Sequence, residues 1–169
     1  DNMTTAEVAE ALGRGTITAG ITKVDDPTAP APGVFEVSAP IQIYSNQLLK
    51  VDQDSEYIFE TWVKVVSSTA TNQRFLAGWT MYDADKNSFG NNQRYWGAVN
   101  EFDSDSYNDG EWHRVVGRIS GVGSLTGQFI NGTEYVRILL LFNYNSGDTV
   151  TRYAGMKLYK SKKLFSSVY

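Results

Sequence analysis

Residues 57–64 read Tyr57-Ile58-Phe59-Glu60-Thr61-Trp62-Val63-Lys64, and their alternation constrains the chain more than any other feature. Counting by twos puts Tyr57, Phe59, Val63 and Val65 on one side and Glu60, Trp62 and Lys64 on the other. A period of two marks a half-buried strand, whose outward positions are ordinarily small or simply charged. A tryptophan between a glutamate and a lysine on the outward side implies a face built to touch something. Similar runs recur over residues 34–37, 41–44, 75–82, 94–99, 112–120, 134–144 and 150–159, which with residues 57–66 make eight candidate strands. Turn-forming residues fall between them, at 52–55, 83–90, Asn108-Asp109-Gly110, Asn131-Gly132 and 145–148. Strands at this spacing, with no long helical period, predict an all-β antiparallel β-sandwich of the jelly-roll kind.

Phase separates core from surface in the later strands. Phe75, Ala77, Trp79 and Met81 share a side, which places Trp79 in the core, with Gly78, Thr80 and Tyr82 opposite. Over residues 112–119, His113, Val115 and Ile119 point inward and Trp112, Arg114 and Arg118 outward. Over residues 134–144, Val136, Ile138, Leu140 and Phe142 alternate with Tyr135, Arg137, Leu139, Leu141 and Asn143. The outward set Glu60, Trp62, Arg94, Trp96, Arg114 and Arg137 comes from several strands and could converge on one sheet. Aromatic planes beside charged groups suit a sugar, whose apolar ring face is bordered by hydroxyls. The same residues equally suit a covered sheet face, with the tryptophans under an arm or partner and the arginines paired with Glu60 and Glu134.

Ahead of the sandwich, Thr4-Thr5-Ala6-Glu7 fits a capping box, and Gly13 can end the short helix that it starts. A helix of about eight residues is marginal alone, so Val8 and Leu12 need an apolar partner. Residues 16–24 alternate Ile17, Ala19 and Ile21 against Thr16, Thr18 and Thr22, as a strand would. Pro27, Pro30 and Pro32 then remove amide donors and hold the chain extended. The expected organisation is an N-terminal arm, helical then extended, with a proline-rich linker over 1–32, and a sandwich over 33–169. The whole reads as a piece of a longer protein.

A net charge of −4 with both signs interspersed disfavours a nucleic-acid binder, which needs a basic stripe. No apolar run approaches the roughly 20 residues of a membrane span, so membrane insertion is not expected. Without cysteine, disulfides and thiolate metal sites are excluded. Asp83-Ala84-Asp85-Lys86-Asn87 starts like a calcium loop but lacks the glycine and the terminal acid that such a loop needs, so a hairpin turn is the simpler reading. Glu36, Asp103 and Asp105 read as loop solvation as readily as cation ligands; no metal or cofactor is expected. Asn131-Gly132-Thr133 has the form of a glycosylation acceptor, although Asn-Gly is also a strong hairpin turn. The single histidine, His113, points inward, and Asp83 and Asp85 share a turn rather than face each other. No catalytic residue is assigned.

The segments Tyr57-Ile58-Phe59-Glu60-Thr61-Trp62-Val63-Lys64, Gly78-Trp79-Thr80-Met81-Tyr82-Asp83, Gly110-Glu111-Trp112-His113-Arg114, Gly132-Thr133-Glu134-Tyr135-Val136-Arg137 and Asn143-Tyr144 together form a pattern. It resembles the jelly-roll, carbohydrate-binding-module-like domains, among them those at the tips of bacteriophage tail fibres and related fibrous adhesins, and covers residues 34–160. The resemblance implies a saccharide or glycan-bearing receptor as partner, bound on a concave sheet face or loop rim. It also implies homotrimers in fibre-borne versions, and a place outside the cell or on a virion surface. Carried onto this chain, the ligand-binding candidates are Glu60, Trp62, Arg94, Trp96, Arg114 and Arg137, with Tyr82 and Asn143 at the margins. The structural calcium frequent in such modules finds no clear acidic pair. Three copies of the N-terminal helix could bury Val8 and Leu12 against each other, as a trimer would require.

Three readings stay open at this point. They are a glycan- or receptor-binding tip, a structural or assembly domain whose aromatic face is a subunit interface, and a polysaccharide-cleaving enzyme on the same fold. They part on whether Trp62, Trp96 and the arginines stand in an open groove or under protein.

Overall fold

A computed structural model describes residues 20–69, 74–95, 107–144 and 148–161. The expected N-terminal helix, Trp96, Asp103 and Asp105 lie outside the described residues. The strands are β1 (Ile21–Lys23), β2 (Phe35–Val37), β3 (Ile41–Tyr44), β4 (Leu49–Lys50), β5 (Tyr57–Ser68), β6 (Leu76–Tyr82), β7 (Ser88–Tyr95), β8 (His113–Ile119), β9 (Tyr135–Phe142) and β10 (Thr149–Lys160). Sheet A runs β1-β2-β10-β5-β8 and sheet B runs β3-β9-β6-β7, with β4 also paired to β9. Every strand pair is antiparallel. The fold is the β-sandwich that the alternation predicts.

The inward phase of each strand meets in one core. Phe59, Val63 and Val65 of β5 and Val115 and Ile119 of β8 face Trp79 and Met81 of β6 and Val136, Leu140 and Phe142 of β9. Four rings bind the sheets together: Phe35 and Tyr153 from sheet A, Phe75 at the start of β6, and Phe142 from sheet B. The centroids of Tyr153 lie 4.9 Å from both Phe75 and Phe142, and Phe35 stacks on Tyr153 at 5.3 Å. Such edge and offset contacts add to the hydrophobic gain of burying each ring. At the other end, Trp79 packs against Tyr57 at 5.2 Å and Phe129 at 5.5 Å. Phe129 reaches the core from the β8–β9 connection, which closes on itself through the Phe129 N–H to Gly121 carbonyl bond of 2.8 Å.

Three expectations change. β7 begins at Ser88, within the stretch read as turn, because the turn closes over residues 83–87: the Asn87 N–H donates to the Asp83 carboxylate at 2.8 Å. Serine, glycine and asparagine are poor strand formers, and pairing with β6 supplies what propensity lacks. The proline-rich stretch is not a free spacer: β1, just before it, pairs with β2, and the stretch itself lies on sheet A. Asn143, a candidate for the ligand margin, is 2 % exposed and holds strand ends together. Its amide donates to the Thr149 carbonyl at 3.0 Å, and its carbonyl accepts from the Thr151 hydroxyl at 3.2 Å.

Two outcomes follow from this packing. Trp79→Ala lowers unfolding free energy by about 3–5 kcal/mol in urea titrations, the range for a large aromatic removed from a core. Asn143→Ala costs about 1–3 kcal/mol in the same titrations, because the buried groups around it lose their partner.

Candidate functional site

A sandwich has two outer faces, and the outward residues divide between them. On sheet A, β5 presents Glu60, Trp62 and Lys64 while β8 presents Arg114 and Arg118. This face is closed by its own charges. Glu60 takes Arg114 and, at 3.6 Å, Lys157; the Arg114 hydrogen bond foremost holds its carboxyl below the usual range. Arg118 pairs with Glu56 at 3.0 Å, and Arg152 bridges Glu36 and Asp26 at 2.9 Å each. Residues 26–33 approach its tryptophans, which stay partly exposed. The Trp112 indole N–H donates to the Thr28 hydroxyl at 3.2 Å. Ala31 comes so near Gly155 of β10 that a Cβ there would stand 2.7 Å from the Ala31 Cβ and 3.8 Å from the Trp62 ring.

Sheet B is built differently. Its outer face carries Gln42 and Tyr44 from β3, Tyr135, Arg137, Leu139 and Leu141 from β9, Leu76, Gly78, Thr80 and Tyr82 from β6, and Gln93 and Tyr95 from β7. Leu76, Leu139 and Leu141 form a buried apolar floor, with Tyr44 and Tyr95 packed against it. Tyr95 lies across Gly78, where a Cβ would meet its ring at 2.9 Å and the Arg94 carbonyl oxygen at 2.2 Å. The rim is a polar mesh. Gln42 donates to the Tyr44 hydroxyl, Gln93 reaches the same hydroxyl at 3.4 Å, and the Tyr95 hydroxyl donates to Gln93 Oε1 at 3.0 Å. Burial first, then the neighbouring phenols of Tyr144 and Tyr44, push the Tyr95 hydroxyl above its ordinary pKa.

The middle of this face holds two polar groups that find no hydrogen-bond partner among the described residues. Thr80 and Arg137 are opposite one another in the β6–β9 register. Thr80 is 4 % exposed, and neither its hydroxyl nor the buried Arg137 Nε makes a hydrogen bond. The Arg137 guanidinium sits 5.9 Å from the centre of the Tyr82 ring, and Lys86 lies 5.6 Å over Tyr135. Apolar floor, phenol and amide rim, and an open cation can together seat a ligand with both hydrophobic and hydrogen-bonding surfaces.

The candidates read from sequence thus do not converge. Glu60, Trp62 and Arg114 occupy sheet A, while Tyr82 and Arg137 occupy sheet B on the far side. Arg94 is opposite Trp79 and so turns to the inner side of the edge strand β7, and Asn143 is core. Gln42, Tyr44, Thr80, Gln93 and Tyr95 were not candidates, although Gln42-Ile43-Tyr44 shows the same alternation as β5. His113 meets the Asp109 carboxylate at 2.9 and 3.0 Å and packs on Tyr107, a structural arrangement at the end of β8. Among the described residues, no three acidic or histidine side chains are grouped to hold a metal ion, and no helix is long and apolar enough to cross a membrane.

No family model and no curated protein matches the sequence. Solved structures share the fold. A family 22 carbohydrate-binding module, described as a xylan-binding domain of Paenibacillus barcinonensis, superposes with a TM-score of 0.53 at 11% identity, covering 87% of this chain and 85% of its own. The corresponding module joined to a xylanase domain from Clostridium thermocellum, solved with xylohexaose, gives 0.51 at 12% identity over 88% of this chain and 26% of that one. A family 16 carbohydrate-binding module gives 0.48 at 13% identity over 83% and 85%. By the first two superpositions, the chain is similar in fold to carbohydrate-binding modules.

The clamp on sheet A responds to acid. The Thr28 hydroxyl at 2.6 Å, followed by Arg152, lowers the Asp26 carboxyl from 3.8 to about 2, against the opposing effect of burial. A carboxyl lowered by folding stabilises fully above its unfolded value and loses that contribution as pH falls through the folded one. Tryptophan fluorescence of the wild type is expected to shift between pH 3.8 and about 2 as residues 26–33 loosen. Asp26→Asn removes that component of the titration.

Proposed function

We propose that this chain is a non-catalytic saccharide-binding module whose ligand lies on the outer face of sheet B. The observation that carries the reading is the row of Tyr44, Gln93 and Tyr95 over a leucine floor: flat apolar rings for a sugar face, with hydroxyls and amides beside them for its edges. The fold likeness to modules described as xylan-binding, or solved with xylohexaose, supports a polysaccharide as ligand class. Hydrolysis of a glycoside uses two carboxyl groups flanking the bond. The outward positions of β3, β6 and β9, and Gln93 and Tyr95 of β7, carry phenols, amides, leucines, a threonine and a guanidinium instead.

The setting we propose for the module is the tip of a fibrous, tail-fibre-like adhesin facing a glycan-bearing surface receptor, as a trimer joined through the segment before residue 20. This rests on the sequence resemblance and on the short helix that the sequence leads one to expect from the Thr4-Thr5-Ala6-Glu7 capping box. A face of a few tyrosines binds weakly per site, and linking copies can raise avidity by roughly 10²–10⁴. Light scattering that finds monomers at high concentration, both with and without residues 1–19, would sink the trimer.

The site is tested by titrating xylan, cello-oligosaccharide and uronic-acid oligosaccharide panels onto the protein. Tyr95→Ala and Tyr44→Ala are each expected to weaken whichever saccharide binds by about two- to tenfold, the effect of one lost aromatic contact. Trp62→Ala, on the opposite sheet, is expected to leave affinity unchanged. If Trp62→Ala abolishes binding while the tyrosine variants do not, the ligand lies on sheet A and the assignment fails.

A further inference from the structure

The arginines of the two sheets differ in one respect. Arg114, Arg118 and Arg152 on sheet A each have a carboxylate of this chain within ion-pair distance. Among the described residues, Arg137 on sheet B has none, and it meets only the face of Tyr82. Glu134, three residues before it, pairs with Lys50 at 3.8 Å, and Asp83, next to Tyr82, accepts from the Asn87 N–H at 2.8 Å. Arg137 is half-buried, so its charge is partly stripped of water without a counter-ion. Opposite it, the Thr80 hydroxyl is buried and unpartnered. Leaving one polar group in that state costs free energy, and here two stand side by side at the centre of one face.

We propose that sheet B selects saccharides bearing a carboxylate, such as uronic-acid polymers, and that the sugar's carboxylate is the counter-ion that Arg137 lacks. The inference rests on sheet B being the saccharide face. The Arg137 Nε is sealed against the sheet, so its terminal nitrogens, which hydrogen-bond to none of the described residues, would meet the anion. An arginine presents a planar fork of donors that matches a carboxylate in geometry as well as charge. The tyrosine row lies one register step away, at Leu139 and Gly78, about 7 Å along the strands. An acidic sugar at Arg137 therefore leaves its neighbour in the polymer over Tyr44 and Tyr95.

The test compares oligogalacturonate with xylo-oligosaccharide of equal length by calorimetry, with dextran sulfate as a second anion. The expected result is at least about tenfold tighter binding of oligogalacturonate, the value of one charge-assisted contact, weakening as salt is raised. Arg137→Gln abolishes the preference and Arg137→Lys retains part of it. In the wild type, the Arg137 Nε–H resonance shifts on adding trigalacturonate and not xylotriose, a readout that needs no variant to fold. Equal affinity for both sugars, or loss of both in Arg137→Gln, overturns the acidic specificity while the saccharide site stands. Tighter binding of dextran sulfate than of oligogalacturonate overturns the carboxylate in favour of a sulfate ester. Binding of no saccharide at all overturns the site and the inference together.

Discussion

The contact of four rings between the sheets fixes everything outside them. Phe35 and Tyr153 on one side, Phe75 and Phe142 on the other, commit one phase of β2, β10, β6 and β9 to the interior. Because side chains alternate along a strand, that commitment also decides which residues look outward and on which side of the sandwich they emerge. A one-residue slip in β9 would exchange Leu140 and Phe142 for Leu139 and Leu141, and would turn Arg137 into the core. The buried Asn143, bonded to Thr149 and Thr151, sits at the end of β9 and opposes such a slip.

The two outer faces show opposite ways of managing polar surface. Sheet A satisfies itself: carboxylates answer arginines, and the proline-rich stretch brings Asp26 and Thr28 down onto Arg152, Lys64 and Trp112. The exposed pairs among them, such as Arg118 with Glu56, contribute little to stability individually. Their consequence is occupancy, since the groups no longer solicit an outside partner. Sheet B keeps its phenols and amides bonded to each other at the rim, but not its central threonine and guanidinium. Glycine at position 78 allows Tyr95 to lie close to the sheet, as no side chain stands beneath the ring.

Much of the fold was legible in the sequence because core phase is a local property: Phe59, Val63, Trp79, Met81, Val136 and Phe142 all take the side that counting by twos assigns. The site was not legible in the same way. Alternation says that Trp62 and Arg137 point outward, but not that β5 and β9 belong to different sheets, so two distant surfaces were read as one. Tryptophan beside charge marks β5, where the charges are paired within the chain. The tyrosine row gave only a faint signal, spread over a four-residue strand and over β7, whose serine, glycine and asparagines disguise it. Trp96 lies outside the described residues.

Both ends of the described chain belong to sheet A, since β1 opens at Ile21 and β10 closes at Lys160, hydrogen-bonded through Ser161 to Glu56 at 2.8 Å. The described chain therefore begins and ends on that sheet and not on sheet B. In mechanical terms, tension between those two ends is carried by the ladders joining β1, β2, β10 and β5, and no strand of sheet B lies on the load path. A pull on those two ends loads sheet A first, and the registry of β6 with β9 is the last to feel it.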